Sequence, residues 1–210
     1  MKKIIMIGGG GHAKVIIGIL KKMKEFNILG YTDKNNNGEI LGIGYLGTDE
    51  NITNILSKYG ELSAVFGIGK LVIDKKRKKI FDKLKISGIQ FPSIIAPTAI
   101  INEEVEIGEG TVVMDGVVIN PGVEIGKLSI VNTQASIDHD CWVGNDTHIA
   151  PGVTISGGVK IGNNCIIGVG STIIQSISVC DNAFIGGASI VIKDINKKGL
   201  YVGNPLRKIK

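Results

Sequence analysis

The sequence is poor in aromatic residues and proline, and it has no long apolar run. Phe, Trp and Tyr make up 5% of the 210 residues while 43% are hydrophobic, so aliphatic side chains must supply most of the core. No apolar run approaches the roughly 20 residues of a membrane span, and the stretch after Met1-Lys2-Lys3 is too short for a signal peptide. We therefore expect a cytoplasmic protein that does not insert into a membrane.

Cysteine is scarce, and its spacing excludes two common uses. Cys141, Cys165 and Cys180 are odd in number and widely separated, which argues against a disulfide framework. No Cys/His pair, and no cluster of carboxylates or histidines, has the spacing of metal ligands. The sequence therefore predicts neither disulfides nor a metal site.

Positive and negative residues are mixed along the chain, with one short basic run as the exception. The chain has 24 Lys and Arg against 19 Asp and Glu, a net charge of +5. This excess suits an anionic ligand but does not identify one, and we expect no nucleic-acid partner. The basic run 75–79 lies beside apolar Ile73, Ile80 and Leu84, a pattern that predicts the solvated face of a helix.

The second half of the chain contains a six-residue repeat. From Ile95 to Val191, an Ile or Val occurs at every sixth position without interruption, and a small or aliphatic residue follows four positions later. This period fits a short strand plus a corner, repeated, better than it fits a helix. It predicts a parallel β-helix with inward Ile and Val, and with Cys141 and Cys165 filling corners.

The first ninety residues alternate strands and helices. The predicted elements are a strand at Lys3–Ile7, a helix with the apolar face Val15, Ile16, Ile19, Leu20 and Met23, a strand at Phe26–Thr32, a helix near 49–58, a strand near 63–68 and a basic helix near 74–85. This order is typical of an α/β domain with a parallel sheet. We place a Rossmann-like half domain at 1–92, ending at Phe91-Pro92, and the β-helix with a short C-terminal tail at 93–210.

The glycine-rich turn Gly8-Gly9-Gly10-Gly11-His12-Ala13 links the first strand to the first helix. It matches G-x-G-x-x-A, where backbone N–H groups and a helix N-terminus bind phosphates, and Asp33 follows the next strand. Taken literally this indicates an NAD-dependent enzyme, but ninety residues supply only about half of a dinucleotide fold. A nucleotide sugar fits better, and a tight turn without a ligand is the third alternative.

The whole chain resembles the PglD/NeuD family of bacterial sugar acyltransferases. The residues that carry the resemblance are Met6 to Ala13, Gly30-Tyr-Thr-Asp33, Gly67-Ile-Gly69, Pro97-Thr-Ala99, Ile130-Val-Asn-Thr133, His139-Asp-Cys141, His148-Ile-Ala-Pro-Gly152 and Gly203-Asn-Pro205. The resemblance implies a left-handed β-helix, an N-terminal nucleotide-sugar domain, acetyl-CoA as co-substrate and a homotrimer with active sites between protomers.

One histidine stands out as a candidate base. His139 is third in its hexad and should face outward, and with eighteen residues per turn Gly157 stacks directly over it. By resemblance His139 is the general base and Asp140 raises its basicity, with Asp138 a weaker candidate for that role. Neutral imidazole titrates near the working pH, so it can remove a proton from an attacking amine or hydroxyl.

The resemblance also assigns binding residues. It implies that acetyl-CoA contacts His148, Gly157, Val169 and Gly187. It places the nucleotide sugar near Gly10, Gly11, His12, Asp33, Lys34 and Gly69, with Asn132 near the acceptor. Val169 and Gly187 are eighteen residues apart and should therefore stack.

The main hypothesis is direct N-acetylation of a nucleotide-activated amino sugar, with a UDP-4-amino-4,6-dideoxy hexose as the expected acceptor. O-acetylation of sialic acid or another sugar hydroxyl, as in NeuD-type relatives, is the alternative within the fold. A non-catalytic sensor or trimeric scaffold is the alternative from another class. No covalent acetyl-enzyme is expected, because Cys141 should point into the coil.

Overall fold

The computed structural model describes all 210 residues, from Met1 to Lys210. The chain divides into two compact units. The first comprises Met1–Gly69 and Lys76–Pro97, and the second comprises Lys70–Lys75 and Thr98–Lys210. The change of unit at Pro97 lies beyond the predicted boundary at residue 92, and the short segment 70–75 packs with the second unit.

The first unit is built on a three-stranded parallel sheet with the strand order β2-β1-β3. Its elements are β1 (Lys2–Ile7), α1 (Gly11–Met23), β2 (Phe26–Thr32), a 3-10 turn (Asp49–Asn51), α2 (Ile52–Tyr59), β3 (Ser63–Phe66), α3 (Lys76–Ile86) and β4 (Ile94–Ile95). Ile4 to Ile7 are completely buried, as expected of a central parallel strand. The predicted α/β alternation is present, although β3 ends at Phe66 instead of continuing to residue 68.

Two details of the predicted helices are wrong. Val15, assigned to the apolar face of α1, is 42% exposed, whereas Ile17 is completely buried beside Ile16. The basic run is not purely a solvated face, because Arg77 is buried with its guanidinium carbon 5.5 Å from the centre of the Phe66 ring. Packing on an aromatic ring compensates part of the cost of burying this cation.

The second unit is a parallel β-solenoid of about six turns. One face contains β7 (Val112–Val113), β10 (Ile130–Val131), β13 (His148–Ile149), β16 (Ile166–Ile167), β19 (Ala183–Ile185) and β21 (Gly199–Val202). The second contains β5 (Ile100–Ile101), β8 (Val118–Ile119), β11 (Ser136–Ile137), β14 (Thr154–Ile155), β17 (Thr172–Ile173) and β20 (Ile190–Val191). The third contains β6 (Glu106–Ile107), β9 (Glu124–Ile125), β12 (Trp142–Val143), β15 (Lys160–Ile161) and β18 (Ser178–Val179).

The pairing register makes eighteen residues equal to one turn. Ile130 pairs with His148 and His148 with Ile166, and the other two faces repeat this spacing. The inward Ile and Val side chains are buried from Val113 to Val191, as the repeat predicts, whereas Ile95, Ile101 and Ile107 at the start of the repeat are half-buried. After the last turn, β22 (Arg207–Lys208) pairs antiparallel with β21 and ends the solenoid. No helix in the protein has both the length and the apolar character needed to cross a membrane.

Small polar residues bridge successive turns at one corner. The Ser129 hydroxyl donates to the Gly144 carbonyl at 2.8 Å and accepts from the Thr147 N–H at 3.1 Å. The Thr147 hydroxyl repeats the pattern one turn later, donating to Gly162 and accepting from the N–H of Cys165. Each hydroxyl therefore satisfies two backbone groups that a corner would otherwise leave without partners.

Candidate active site

His139 lies in the corner that follows β11, with its side chain 61% exposed. The next residue, Asp140, has a positive φ of 58°, the left-handed conformation that turns the chain at this corner. This turn brings the carboxylate back to the ring, so Nδ1 of His139 lies 2.8 Å from Oδ2 of Asp140. The predicted pairing of His139 with Asp140 is thus present within one corner.

The charge around His139 favours a basic imidazole. The hydrogen bond to Asp140 is the largest influence and raises the pKa of His139, and the charge of Asp138 adds to the effect. Asp138 accepts from the His139 N–H at 2.9 Å and from the Asn120 amide at 2.9 Å. Because a carboxylate only accepts, Nδ1 carries the proton toward Asp140 and Nε2 presents its lone pair.

Two glycines make room for this pair. A Cβ built on Gly157, one turn after His139, would lie 2.6 Å from Nε2 and 2.7 Å from Cε1 of the ring. A Cβ built on Gly122, one turn before Asp140, would lie 2.9 Å from its Oδ1. Gly157 was predicted from the eighteen-residue spacing; Gly122 was missed, although the same spacing counted backwards from Asp140 leads to it.

His148 opens β13, on a different face of the solenoid from β11, and is only 8% exposed. Its Nδ1 lies 2.8 Å from the Lys70 carbonyl, and its Nε2 lies 3.1 Å from Nδ2 of Asn132. The structure therefore brings His148, assigned to acetyl-CoA, into contact with Asn132, assigned to the acceptor. Lys70 had not been singled out, because no motif connects it to residues 132–148.

Val169 and Gly187 stack on consecutive turns, as predicted. Val169 is 59% exposed, and a Cβ built on Gly187 would lie 3.2 Å from the Val169 carbonyl oxygen. Both residues therefore present an exposed surface to the outside of the solenoid.

The glycine turn of the first unit is closed by Asp33. Oδ2 of Asp33 accepts from the Gly9 N–H at 2.7 Å, and Oδ1 accepts from the N–H of Asn35 at 3.3 Å. Gly9 was not among the predicted binding residues, yet a Cβ built on it would lie 2.3 Å from the buried Tyr31 ring. No sequence signal distinguishes this glycine from its neighbours.

The remaining predicted residues of this unit lie around the start of α1. Gly10 and Gly11 are exposed, and nothing lies within 4 Å of a Cβ built on either. His12 is half-buried beside Gly69, whose built Cβ would lie 3.6 Å from that of His12. Lys34 is exposed just after β2. The turn thus leaves open backbone at a helix N-terminus, which is a common anion-binding arrangement.

The cysteines are poor nucleophiles. Burial raises the pKa of the Cys165 thiol to about 11, and burial also raises the pKa values of Cys141 and Cys180. Cys141 is buried, and its Sγ lies 3.2 Å from the Ser156 carbonyl. No group of three or more His, Cys, Asp or Glu side chains is placed to hold a metal ion.

Comparison with known proteins identifies both halves of the chain. The PglD N-terminal domain family matches residues 3–84, and six repeats of the bacterial transferase hexapeptide match residues 140–175. A UDP-N-acetylbacillosamine N-acetyltransferase from Bacillus subtilis (strain 168) is 29% identical over 115 residues, which are 54% of this chain and 52% of that protein. The chain thus matches about half the length of this curated relative.

Solved structures match over the full length. Perosamine N-acetyltransferase from Caulobacter crescentus, solved as a histidine-to-asparagine variant with CoA and GDP-perosamine, is 31% identical with a TM-score of 0.93. The match covers 100% of this chain and 98% of that one. The acetyltransferase domain of PglB from Neisseria gonorrhoeae FA1090, solved with acetyl coenzyme A, is 29% identical with a TM-score of 0.92, covering 99% of each chain.

Together the fold and the His139 corner define a left-handed β-helix acyltransferase preceded by an α/β domain. The predicted fold class is confirmed. Within that class, the chain belongs to the PglD-like sugar acetyltransferases, which confirms the family resemblance seen in the sequence.

Proposed function

We propose that the protein transfers an acetyl group from acetyl-CoA to the amine of a nucleotide-linked amino sugar, with His139 as the general base. The observation that carries this proposal is the His139–Asp140 pair, in which Nδ1 is held at 2.8 Å and Nε2 presents its lone pair beside Gly157. The relatives support it, because structures of this fold were solved with CoA and GDP-perosamine or with acetyl coenzyme A. The histidine variants of the perosamine enzyme are consistent with a histidine base.

The chemistry follows from the two ring nitrogens. As the sugar nitrogen attacks the thioester carbonyl carbon, a C–N bond forms and Nε2 of His139 takes the proton that the nitrogen loses. Asp140 stabilises the imidazolium through the Nδ1 hydrogen bond. The C–S bond then breaks, and the proton held by His139 can pass to the departing CoA thiolate. No covalent acetyl-enzyme is needed, in keeping with the raised pKa of Cys141.

The two substrates are assigned to different units. We assign the nucleotide sugar to the open turn of the first unit, at Gly10, Gly11, His12, Asp33, Lys34 and Gly69. We assign acetyl-CoA to the outside of the solenoid, at His148, Gly157, Val169 and Gly187, and place Asn132 near the acceptor. One relative is a UDP-N-acetylbacillosamine N-acetyltransferase, and another was solved with GDP-perosamine. The relatives thus differ in nucleotide, and we propose UDP for this protein.

We also propose that the enzyme acts as a homotrimer in the cytoplasm. His139 follows a strand of one solenoid face while His148 opens a strand of another, so a second protomer is a natural source of the complementary half-site. Three free cysteines suit a reducing compartment. Sedimentation equilibrium that gives the mass of a single chain would remove the trimer from this proposal.

The test is CoA release from acetyl-CoA with a panel of acceptors: UDP- and GDP-linked 4-amino sugars, the corresponding 4-hydroxy sugars and free sialic acid. We expect release with at least one amino sugar and none with its hydroxy partner. His139→Ala should lower kcat/KM for that acceptor by about 10²–10⁴-fold, the usual worth of a general base. Unfolding curves of both proteins check that the fold is unchanged.

The panel separates the alternatives. Release with sialic acid alone would replace the N-acetylation proposal with O-acetylation. Unchanged transfer by a folded His139→Ala protein would refute the role of His139. Cys141→Ala should keep full activity; loss of turnover in a folded Cys141→Ala protein would instead indicate a thioester on the enzyme.

A further inference from the structure

A buried ion pair in the second unit has no role in the chemistry described above. Nζ of Lys70 lies 3.0 Å from Oδ2 of Asp146, and the two side chains are only 2% and 9% exposed. The same ammonium donates to Oδ1 of Asn164 at 2.6 Å, and Nδ2 of Asn164 donates to Asn182 at 2.7 Å. Buried lysines are rare unless paired, so this contact requires an explanation.

Turn geometry alone does not explain the carboxylate. Asp146 occupies a corner column at eighteen-residue spacing in which every residue has a positive φ, and Asp is one of the residues that tolerates this conformation. However, the equivalent corner one turn earlier is occupied by Leu128 with a φ of 59°. The fold therefore accepts a leucine in this conformation, and the charge of Asp146 serves its contact with Lys70.

The main chain of Lys70 reaches His148. Because a carbonyl oxygen can only accept, the 2.8 Å contact places the proton on Nδ1 of His148. On the other side of the ring, Oδ1 of Asn132 accepts from the Thr133 N–H at 2.8 Å, which orients the amide so that Nδ2 donates to Nε2 of His148. When its ring is neutral, His148 is therefore held as a single tautomer, with the proton on Nδ1.

We infer that Lys70 is a positioning residue: its buried ion pair with Asp146 fixes the Lys70 carbonyl, which holds His148 as the Nδ1–H tautomer with Nε2 directed to Asn132. Asp146 lies two residues before His148 on the same turn. One short stretch of the solenoid therefore binds the ammonium of Lys70 through Asp146 and its carbonyl oxygen through His148. The consequence for catalysis rests on the proposed function, in which His148 contacts acetyl-CoA; the tautomer itself does not.

The direct test is the imidazole nitrogen spectrum of the whole protein labelled with ¹⁵N. The chain has three histidines, so His→Gln variants assign each signal. In the wild type we expect His148 to show a protonated Nδ1 and an unprotonated Nε2. In Lys70→Ala we expect the His148 signals to move away from this pattern, because Nδ1 loses its fixed acceptor and only the Asn132 amide still holds the ring.

Two further variants keep the test decisive. Lys70→Ala leaves Asp146 buried without its lysine, so we pair it with the double variant Lys70→Ala/Asp146→Leu, which removes both charges and uses the residue present at position 128. Lys160→Ala, an exposed lysine of β15, is the matched control and should show the wild-type pattern. A folded Lys70→Ala or double variant that retains the wild-type His148 pattern overturns the inference.

Kinetics separate this inference from the proposed function. We expect Lys70→Ala to raise the KM for acetyl-CoA about tenfold, roughly the value of one hydrogen bond, and to leave unchanged the pH dependence that His139 imposes. If the His148 tautomer changes but the KM does not, the positioning role stands and the assignment of His148 to acetyl-CoA fails.

Discussion

The two units of this protein bring residues together in different ways. In the solenoid, contacts join positions one turn apart, as with Gly157 and His139 or Ser129 and Thr147. In the α/β unit, the glycine turn is closed by Asp33, 24 residues from Gly9, and by Asn37, 28 residues from it. The first kind of contact follows from a count along the sequence, whereas the second depends on the individual path of a loop.

This difference explains what the sequence could predict. The unbroken Ile and Val period determines the register, so the approach of Gly157 to His139 and the stacking of Val169 on Gly187 were both predictable. The role of Gly9 was not, because it depends on the Tyr31 ring filling the space beside it. In a periodic segment the spacing of residues in the sequence predicts which of them are neighbours in space, whereas in a loop it does not.

Lys70 shows the limit of prediction most clearly. It is 76 residues from Asp146, and it belongs to a segment that lies in sequence between β3 and α3 of the first unit but packs with the second. Its partner Asp146 occupies a positive-φ corner, where an Asp is common enough in a turn to attract no attention in the sequence. Nothing in the local sequence therefore distinguishes this buried pair from a solvated lysine and a turn aspartate.

Among changes that leave His139 itself in place, Gly157→Ala should have the largest effect. Gly157 has no positive φ, so alanine suits its backbone, but the added Cβ would lie 2.6 Å from Nε2 of His139 and must displace the ring. Displacement of a reacting group by about 1 Å costs roughly 10²-fold, so kcat/KM should fall by about that factor. Steady-state kinetics measures it.

Gly18→Ala is the matched control from the first unit. Nothing lies within 4 Å of a Cβ built on this glycine of α1, so activity should be unchanged and stability should rise by about 0.5–1 kcal/mol. Equal activity of the Gly157→Ala and wild-type proteins would mean that the eighteen-residue count does not govern access to His139.

Ser129→Ala tests the column of corner hydroxyls. It removes a partner from both the Gly144 carbonyl and the Thr147 N–H, both of which are buried, and should lower the free energy of unfolding by about 1–3 kcal/mol. Denaturant unfolding measures this loss. Ser178→Ala, at an exposed position of the same solenoid, should stay within about 0.5 kcal/mol of the wild type.

Asp33→Ala tests a loop contact of the first unit, the hydrogen bond that Asp33 accepts from the glycine turn. Without this carboxylate the N–H groups of Gly9 and Asn35 lose their acceptor, and the glycine turn loosens. We expect the KM for the nucleotide sugar to rise about tenfold while the KM for acetyl-CoA stays the same. If both constants rise together, Asp33 supports the fold as a whole and not one substrate site.

Asp140→Asn should shift the pH dependence of the reaction. Asp140 raises the pKa of His139, so in the wild type the neutral base is lost as pH falls through that raised pKa. Removing the charge lowers the pKa, and the acidic limb of kcat/KM should move to lower pH. A pH–rate profile measures the movement; Asp181→Asn, on a different corner, should leave the limb in place.

The eighteen-residue turn also limits how this chain can change in length. Inserting or deleting one residue between 98 and 191, if the register shifts with it, would move every later Ile or Val off the axis and one corner residue of each later hexad onto a strand. Removing a whole turn would preserve all columns on either side of the cut. Within the solenoid, tolerated changes in length should therefore come in complete turns, while the loops of the α/β unit can vary one residue at a time.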